Sequence, residues 1–252
     1  MTRLVLQEEE SVIKITMESE EEGKYNLIDM KFMHDFIDTL RALEKERRIR
    51  FIILRGEGNF GAGADIKELK RASEDREYAT NFFSTMHEMF MTLFNFPKPI
   101  IANVEGVAYG TSLELLLGCD FVIASETAKF ASLAGKIGLF SPILIIIGKE
   151  ILGWKTVKEM EFLGKELTAK EAKEARLVYE ISNNFDEENN KLIQQLKQIA
   201  PTALAQMRSL IYRKYEEEIK YAFNRLVDQV QTEDARDGIY AFLTKTKPYW
   251  AI

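Results

Sequence analysis

Between Ile100 and Asp120 the chain reads IIANVEGVAYGTSLELLLGCD, and few folds accommodate such a stretch. Ile100, Ile101, Ala102 and Val104 make an apolar run of the length expected of a strand covered on both faces. The chain then turns through Gly106 and Gly110 and enters an apolar helical segment, Leu113 to Leu117, that carries one acid, Glu114. A helix this rich in leucine is a buried helix, and a buried helix does not hold an unpaired carboxylate without cause. On the residues alone two causes stand side by side. Glu114 is either an acid at a helix N-terminus, where such groups gain about 0.3–1 kcal/mol, or a proton-transferring carboxylate. In the second case it stands beside an anion site made by free N–H groups of the turn Gly110-Thr111-Ser112.

The flanking chain supplies the rest of an α/β arrangement. Leu4 to Leu6 and Val12 to Met17, separated by the acids Glu8 to Glu10, read as a β-hairpin. Asp29 is placed to cap an amphipathic helix through about Arg47, with Phe32, Phe36, Ile37 and Leu40 on one face. A strand at Phe51 to Leu54 runs into a glycine-rich loop, Gly56 to Gly63. Helices at Ile66 to Lys70 and Tyr78 to Phe94 follow, then the strand at Ile100, the Glu114 helix and a strand at Phe121 to Ala124. Sheets built this way take ligands at the carboxyl ends of their strands. Beyond Ser141 the pattern is helical: Trp154 to Leu163, a helix capped by Thr168, one short strand at Val178 to Ile181, then helices from Glu187 to Ile199, Pro201 to Lys214 and Glu216 to the end.

Composition removes several function classes. Lys and Arg total 34 against 40 Asp and Glu, a mild net charge of −6 with mixed signs, so nucleic acid is not expected as a partner. No run of about 18 uncharged apolar residues is present to span a membrane. The N-terminal MTRLVLQEEE lacks the apolar segment of a signal peptide. The single cysteine, Cys119, forms no intrachain disulfide and reads as a small buried filler; a cytoplasmic location is expected. No His, Cys or acid cluster has metal-ligand spacing, and Gly110-Thr111-Ser112-Leu113-Glu114 lacks the second glycine of a nucleophile elbow. His34 and His87, the two histidines, both fall in amphipathic helices.

The loop Gly56-Glu57-Gly58-Asn59-Phe60-Gly61 matches G-x-G-x-x-G, but no strand ending in an acid follows at dinucleotide-fold spacing. Read onward through Ala62-Gly63-Ala64-Asp65-Ile66, it is either an ordinary glycine loop or a second donor site. In the latter the Ala64 N–H would face an oxygen already faced by the Gly110 turn.

The segments NLIDMKFMHDFIDTL, FGAGADIKEL, PKPIIANVEGVAYGTSLELLLGCD, ASETAKFASLAGKIGLFSP, LTAKEAKEARLV and AFLTKTKPYW carry a resemblance to the crotonase, or enoyl-CoA hydratase/isomerase, superfamily over nearly the whole chain. That resemblance implies a crotonase-type ββα spiral core over residues 1–195 that binds an acyl-CoA substrate. Residues 196–252 would be a helical C-terminal region for assembly into a homotrimer or homohexamer. It implies no cofactor beyond the coenzyme A of the substrate. The thioester oxygen would be held by the backbone N–H groups of Ala64 and Thr111, with Glu114 as the catalytic carboxylate. Coenzyme A would run past Lys24, Ala62, Asp65 and Ile66. The chain departs from the pattern where a second glutamate is expected, since Ala134 stands there, and where Thr111 and Ser112 replace a glycine pair. Ser132, Ser141 and Tyr109 are the candidate substitutes for the missing group. The stretch FSPILIIIGKE is also shorter and more apolar than the pattern. The activity expected is hydratase-like. Double-bond isomerisation or decarboxylation on the single carboxylate Glu114 is the alternative, and a non-catalytic acyl-CoA or acyl-carrier binding subunit a third reading.

Overall fold

The computed structural model describes residues 1–21 and 25–251. Its first half contains β1 (Thr2–Glu9), β2 (Val12–Ser19), α1 (Met30–Lys45), β3 (Phe51–Gly56), α2 (Ile66–Glu74), α3 (Arg76–Asn95), β4 (Ile100–Val104), β5 (Val107–Tyr109), α4 (Thr111–Leu116), β6 (Phe121–Ala124) and β7 (Lys129–Ala131). After a 3-10 turn at Ala134–Ile137 come a π-helical stretch, Leu144–Gly148, and α5 (Lys149–Leu163). β8 (Glu166–Thr168), α6 (Ala169–Glu174), β9 (Glu180–Ile181), α7 (Phe185–Leu196), α8 (Pro201–Tyr212), α9 (Glu216–Gln229) and α10 (Glu233–Thr244) complete the chain.

Among the described residues one sheet runs β1-β2-β3-β4-β6-β9, and only the edge pair β1 with β2 is antiparallel. Near that edge β2 alternates, with Ile13, Ile15 and Met17 buried. In the interior β4 is buried at every position, as a strand covered on both faces must be. Successive side chains divide the sheet's two faces. Phe51, Ile53, Ile101 and Ile123 pack with Leu192, Ile193 and Leu196 of α7, whereas Ile52, Leu54, Ile100 and Ala102 face the main core built on α1 and α3. Each fully buried aliphatic or phenyl side chain there is worth roughly 1.5–3 kcal/mol.

The expected hairpin is present, and Asp29 Oδ1 accepts the Phe32 amide at 2.7 Å to start α1. Three features depart from the sequence expectation. A second, three-stranded sheet, β5-β7-β8, was not foreseen, because strands of three residues are too short to show alternation. The helix expected to begin at Trp154 already starts at Pro142; Ile143, Leu144, Ile146 and Ile147 are all buried, so the run has no polar face to give a period. It joins α5 without interruption apart from a kink at Gly153. The C-terminal helix is two helices, because Thr232 Oγ1 accepts the Ala235 amide at 3.2 Å and begins a new one.

The C-terminal helices pack onto the core. Arg208 of α8 is buried and donates to the Phe96 carbonyl at 2.7 Å, to that of Leu93 at 3.1 Å and to the Asp120 carboxylate. Asp120 in turn accepts the Ile100 amide at 2.7 Å, so one ion pair joins the end of α3, the start of β4 and α8. Gln229 donates to the Gly138 carbonyl at 2.7 Å. No helix among the described residues is long and apolar enough to cross a membrane.

Candidate active site

The glycine loop after β3 and the turn after β5 lie against each other. Gly61 forms a parallel bridge with Ala108, and the Gly61 and Tyr109 amides donate to the Val107 and Gly61 carbonyls at 3.0 and 2.9 Å. A Cβ placed on Gly63 would lie 2.9 Å from the Tyr109 oxygen and 3.2 Å from the Thr111 nitrogen. Gly63 and Gly110 have φ of +92° and +52°, conformations that side-chain-bearing residues rarely adopt.

Amide accounting isolates the donors. From Phe60 to Asp65 the amides of Phe60, Gly61, Ala62, Gly63 and Asp65 donate to Glu105 O, Val107 O, Asn26 O, Ser112 Oγ and Ile28 O at 2.9–3.0 Å. The Ala64 N–H has no partner among the described residues. In the second turn Tyr109 and Gly110 are paired, the latter with the Ala131 carbonyl at 2.9 Å. The Thr111 N–H, first of α4, has none among the described residues, and neither have those of Ser112 and Leu113 that follow it in the first turn. Ala64 and Thr111 each follow a glycine at positive φ, and Gly63 brings their two loops into contact.

Glu114 lies one turn into α4 and is 2% exposed. Its Oε1 accepts the Ile143 and Leu144 amides at 2.7 and 3.2 Å. These are the N–H groups that the helix beginning at Pro142 cannot satisfy internally, so Glu114 occupies the N-terminus of a helix other than its own. Burial pushes its carboxyl up to about 8, helped by the charge of Glu161, while the two amides pull the other way. Such a group holds its proton near neutrality and exchanges it readily.

Of the remaining sequence candidates, Asp65 caps α2 by accepting the Lys67 amide at 2.8 Å, and Ala62 and Ile66 line the same half-buried loop. Lys24 lies outside the described residues. Ser132 and Ser141 are buried with hydroxyls 2.7 Å apart, whereas the Tyr109 hydroxyl is committed to Glu166. Ala134 places no ionisable group at the start of its 3-10 turn. Cys119 is buried in its helix end as a filler, its thiol donating to the Leu115 carbonyl at 3.4 Å.

Sequence reasoning missed two residues. Ser112 fixes the Gly63 amide. Glu161, on α5, is 9% exposed, and its Oε2 accepts the Ser141 amide at 3.3 Å. Burial raises its carboxyl too, and the Ser132 and Ser141 groups partly offset this. Its spacing held the signal: Val157, Met160 and Glu161 are i, i+3 and i+4 on the buried face of a helix.

No group of three metal-ligating side chains occurs among the described residues. A sequence model of the enoyl-CoA hydratase/isomerase family matches residues 7–251. A probable enoyl-CoA hydratase of Bacillus subtilis is 31% identical over 235 residues, covering 88% of this chain and 90% of its own. The mitochondrial enoyl-CoA hydratase domain-containing protein 3 of Rattus norvegicus is 30% identical over 222 residues, 85% of this chain and 73% of that one. Among solved structures, an enoyl-CoA hydratase/isomerase from Mycobacterium paratuberculosis superposes with a TM-score of 0.85 at 19% identity, over 94% of this chain and 97% of that chain, a likeness of fold.

Proposed function

Because the chain belongs to the enoyl-CoA hydratase/isomerase family, we propose that it binds an acyl-CoA thioester with the carbonyl oxygen between the Ala64 and Thr111 amides and exchanges a proton with the acyl chain through Glu114. The observation that carries this reading is the pair of unpartnered amides on two touching, glycine-hinged turns, with a buried protonatable carboxyl one turn further along α4. As charge develops on the thioester oxygen, two fixed N–H dipoles stabilise it without reorganising; removing such a donor typically costs about 2.7–4 kcal/mol of transition-state stabilisation. Glu114 then adds or removes the hydrogen at the carbon next to the carbonyl.

The activity is hydratase-like. Ala134, which supplies no carboxyl at its position, favours double-bond isomerisation or decarboxylation as the second reading, since one carboxyl shuttling a proton between carbons suffices there. Coenzyme A runs past Lys24, Ala62, Asp65 and Ile66, with Ala62 contributing groups other than its amide, which donates to Asn26. Exposed Met207, Leu210, Ile211, Tyr221 and Phe242 on the C-terminal helices support assembly into a homotrimer or homohexamer.

The test is turnover of 2-enoyl-, 3-enoyl- and malonyl-type CoA thioesters by wild type and Glu114→Gln. Conversion that Glu114→Gln abolishes supports the assignment. Tight binding with no conversion of any member favours a silent acyl-CoA binding subunit.

A further inference from the structure

Glu161 is a buried acid that packing alone does not justify. Ionised carboxyls taken out of water cost several kcal/mol unless paired, and a leucine at this position would carry no such penalty. Oε2 accepts the Ser141 amide, whereas Oε1 is buried with no hydrogen-bond partner among the described residues. Beside it lies the buried Ser132–Ser141 hydroxyl pair.

Its place relative to Glu114 is set by one short segment. Ser141 N–H holds Glu161, and Ile143 and Leu144 N–H hold Glu114. Amides two residues apart in a helical turn are separated by roughly 4–5 Å, so the two accepting oxygens are within roughly 10 Å of each other. The kink at Gly153 returns α5 so that the Glu161 backbone lies directly behind the Ala134-Gly135 turn; a Cβ on Gly135 would meet the Glu161 carbonyl at 3.2 Å.

Resting on the role assigned to Glu114, we propose that Glu161 is the second proton-transferring carboxyl of the site, supplied from α5 in place of Ala134, so that water adds across the double bond between a Glu114/Glu161 pair. The Ser141 amide and the neighbouring Ser132 and Ser141 hydroxyls favour the charged form of Glu161 against its burial, and a charge there raises Glu114 and helps it keep its proton. The carboxylate of Glu161 takes one proton from water as the water oxygen bonds to C3. The C2–C3 π electrons move into the enolate, which Ala64 and Thr111 hold, and the enolate collapses to take the Glu114 proton at C2. One O–H and one π bond are lost, one C–O and one C–H bond are formed, and the pair keeps the same number of protons.

Two reactions separate this from the reading beneath it: hydration of crotonyl-CoA, which needs both carboxyls, and exchange of the C2 hydrogens of butyryl-CoA with D2O, which needs Glu114 and the two amides alone. Glu161→Gln is expected to slow hydration about 10²–10⁴-fold, with Glu161→Asp recovering part of it, while exchange persists with its pH profile moved downwards, because the charge that raises Glu114 is gone. The proposal is overturned if Glu161→Gln hydrates at the wild-type rate, if both reactions fall together with the melting temperature, or if wild type exchanges but does not hydrate. A wild type that does neither brings down the assignment of Glu114 itself, and this proposal with it. If Glu161→Gln does not fold, the wild-type profile of hydration against pH decides: two ionisations support the pair and a single one overturns it.

Discussion

Ser112 Oγ accepts the Gly63 amide at 3.0 Å, and through that bond a helix-borne hydroxyl fixes the loop residue that precedes the free Ala64 N–H. Ser112→Ala leaves the Gly63 amide buried and unpaired, which should cost about 1–3 kcal/mol of stability, read by urea denaturation. If the loop shifts by about 1 Å in response, turnover should fall by up to about 10²-fold with little change in the affinity for free coenzyme A. Unchanged turnover in a destabilised variant would show that the loop is held elsewhere.

Gly63→Ala should be more damaging. The added methyl would sit 2.9 Å from the Tyr109 oxygen at a φ of +92°, so strain of about 1–3 kcal/mol is expected together with separation of the two donor turns. Activity loss well beyond what the stability change explains is the outcome to look for.

Glu114 links stability to pH with a definite sign. Its folded carboxyl is raised to about 8 from an ordinary value near 4.5, so between those limits the folded protein holds a proton that the unfolded chain has released. Its contribution is fully present below about pH 4.5 and is lost as pH rises through about 8, at about 1.4 kcal/mol per pH unit while one proton is at stake. Denaturation midpoints of wild type and Glu114→Gln, measured from pH 5 to 9, should therefore diverge in favour of the variant on the alkaline side. Parallel curves would mean that Glu114 is ionised in the folded protein at neutral pH.

Arg208→Ala removes one partner of a buried pair and leaves the Asp120 carboxylate and the Leu93 and Phe96 carbonyls without their donor. A loss of about 3–5 kcal/mol is expected, measured by chemical denaturation. A loss below about 1 kcal/mol would show that solvent replaces the guanidinium.

Leu210 is 71% exposed on α8 beside exposed Met207 and Ile211. If the proposed assembly is held through this face, Leu210→Glu should shift sedimentation towards the monomer; an unchanged coefficient would remove this face as the subunit contact.

How much of this was legible in the sequence varied with the physical signal. Glu114 stood out because it interrupts a run of leucines, and the central strands because both faces are apolar. Glu161 lies two residues from the more exposed Glu159 in a charge-rich helix, where an acid raises no question until the chain is folded. That the chain turns helical beyond Ser141 was legible, but not that the helix starts at Pro142, since a helix buried on every side has no period. β5, β7 and β8 exist through pairing with distant partners, and Ser112 acquires its role only when the Gly63 loop arrives beside it.

The groups proposed to polarise the thioester belong to the main chain, whereas those proposed to move protons are side chains. Exchange of the side chain at 64 or 111 for another of similar bulk would leave the electrophilic grip intact. A change at 114, 134 or 161 would redirect what happens to the enolate once formed. Two layers of the site can thus drift independently, one preserving which molecules are activated and the other deciding what they become.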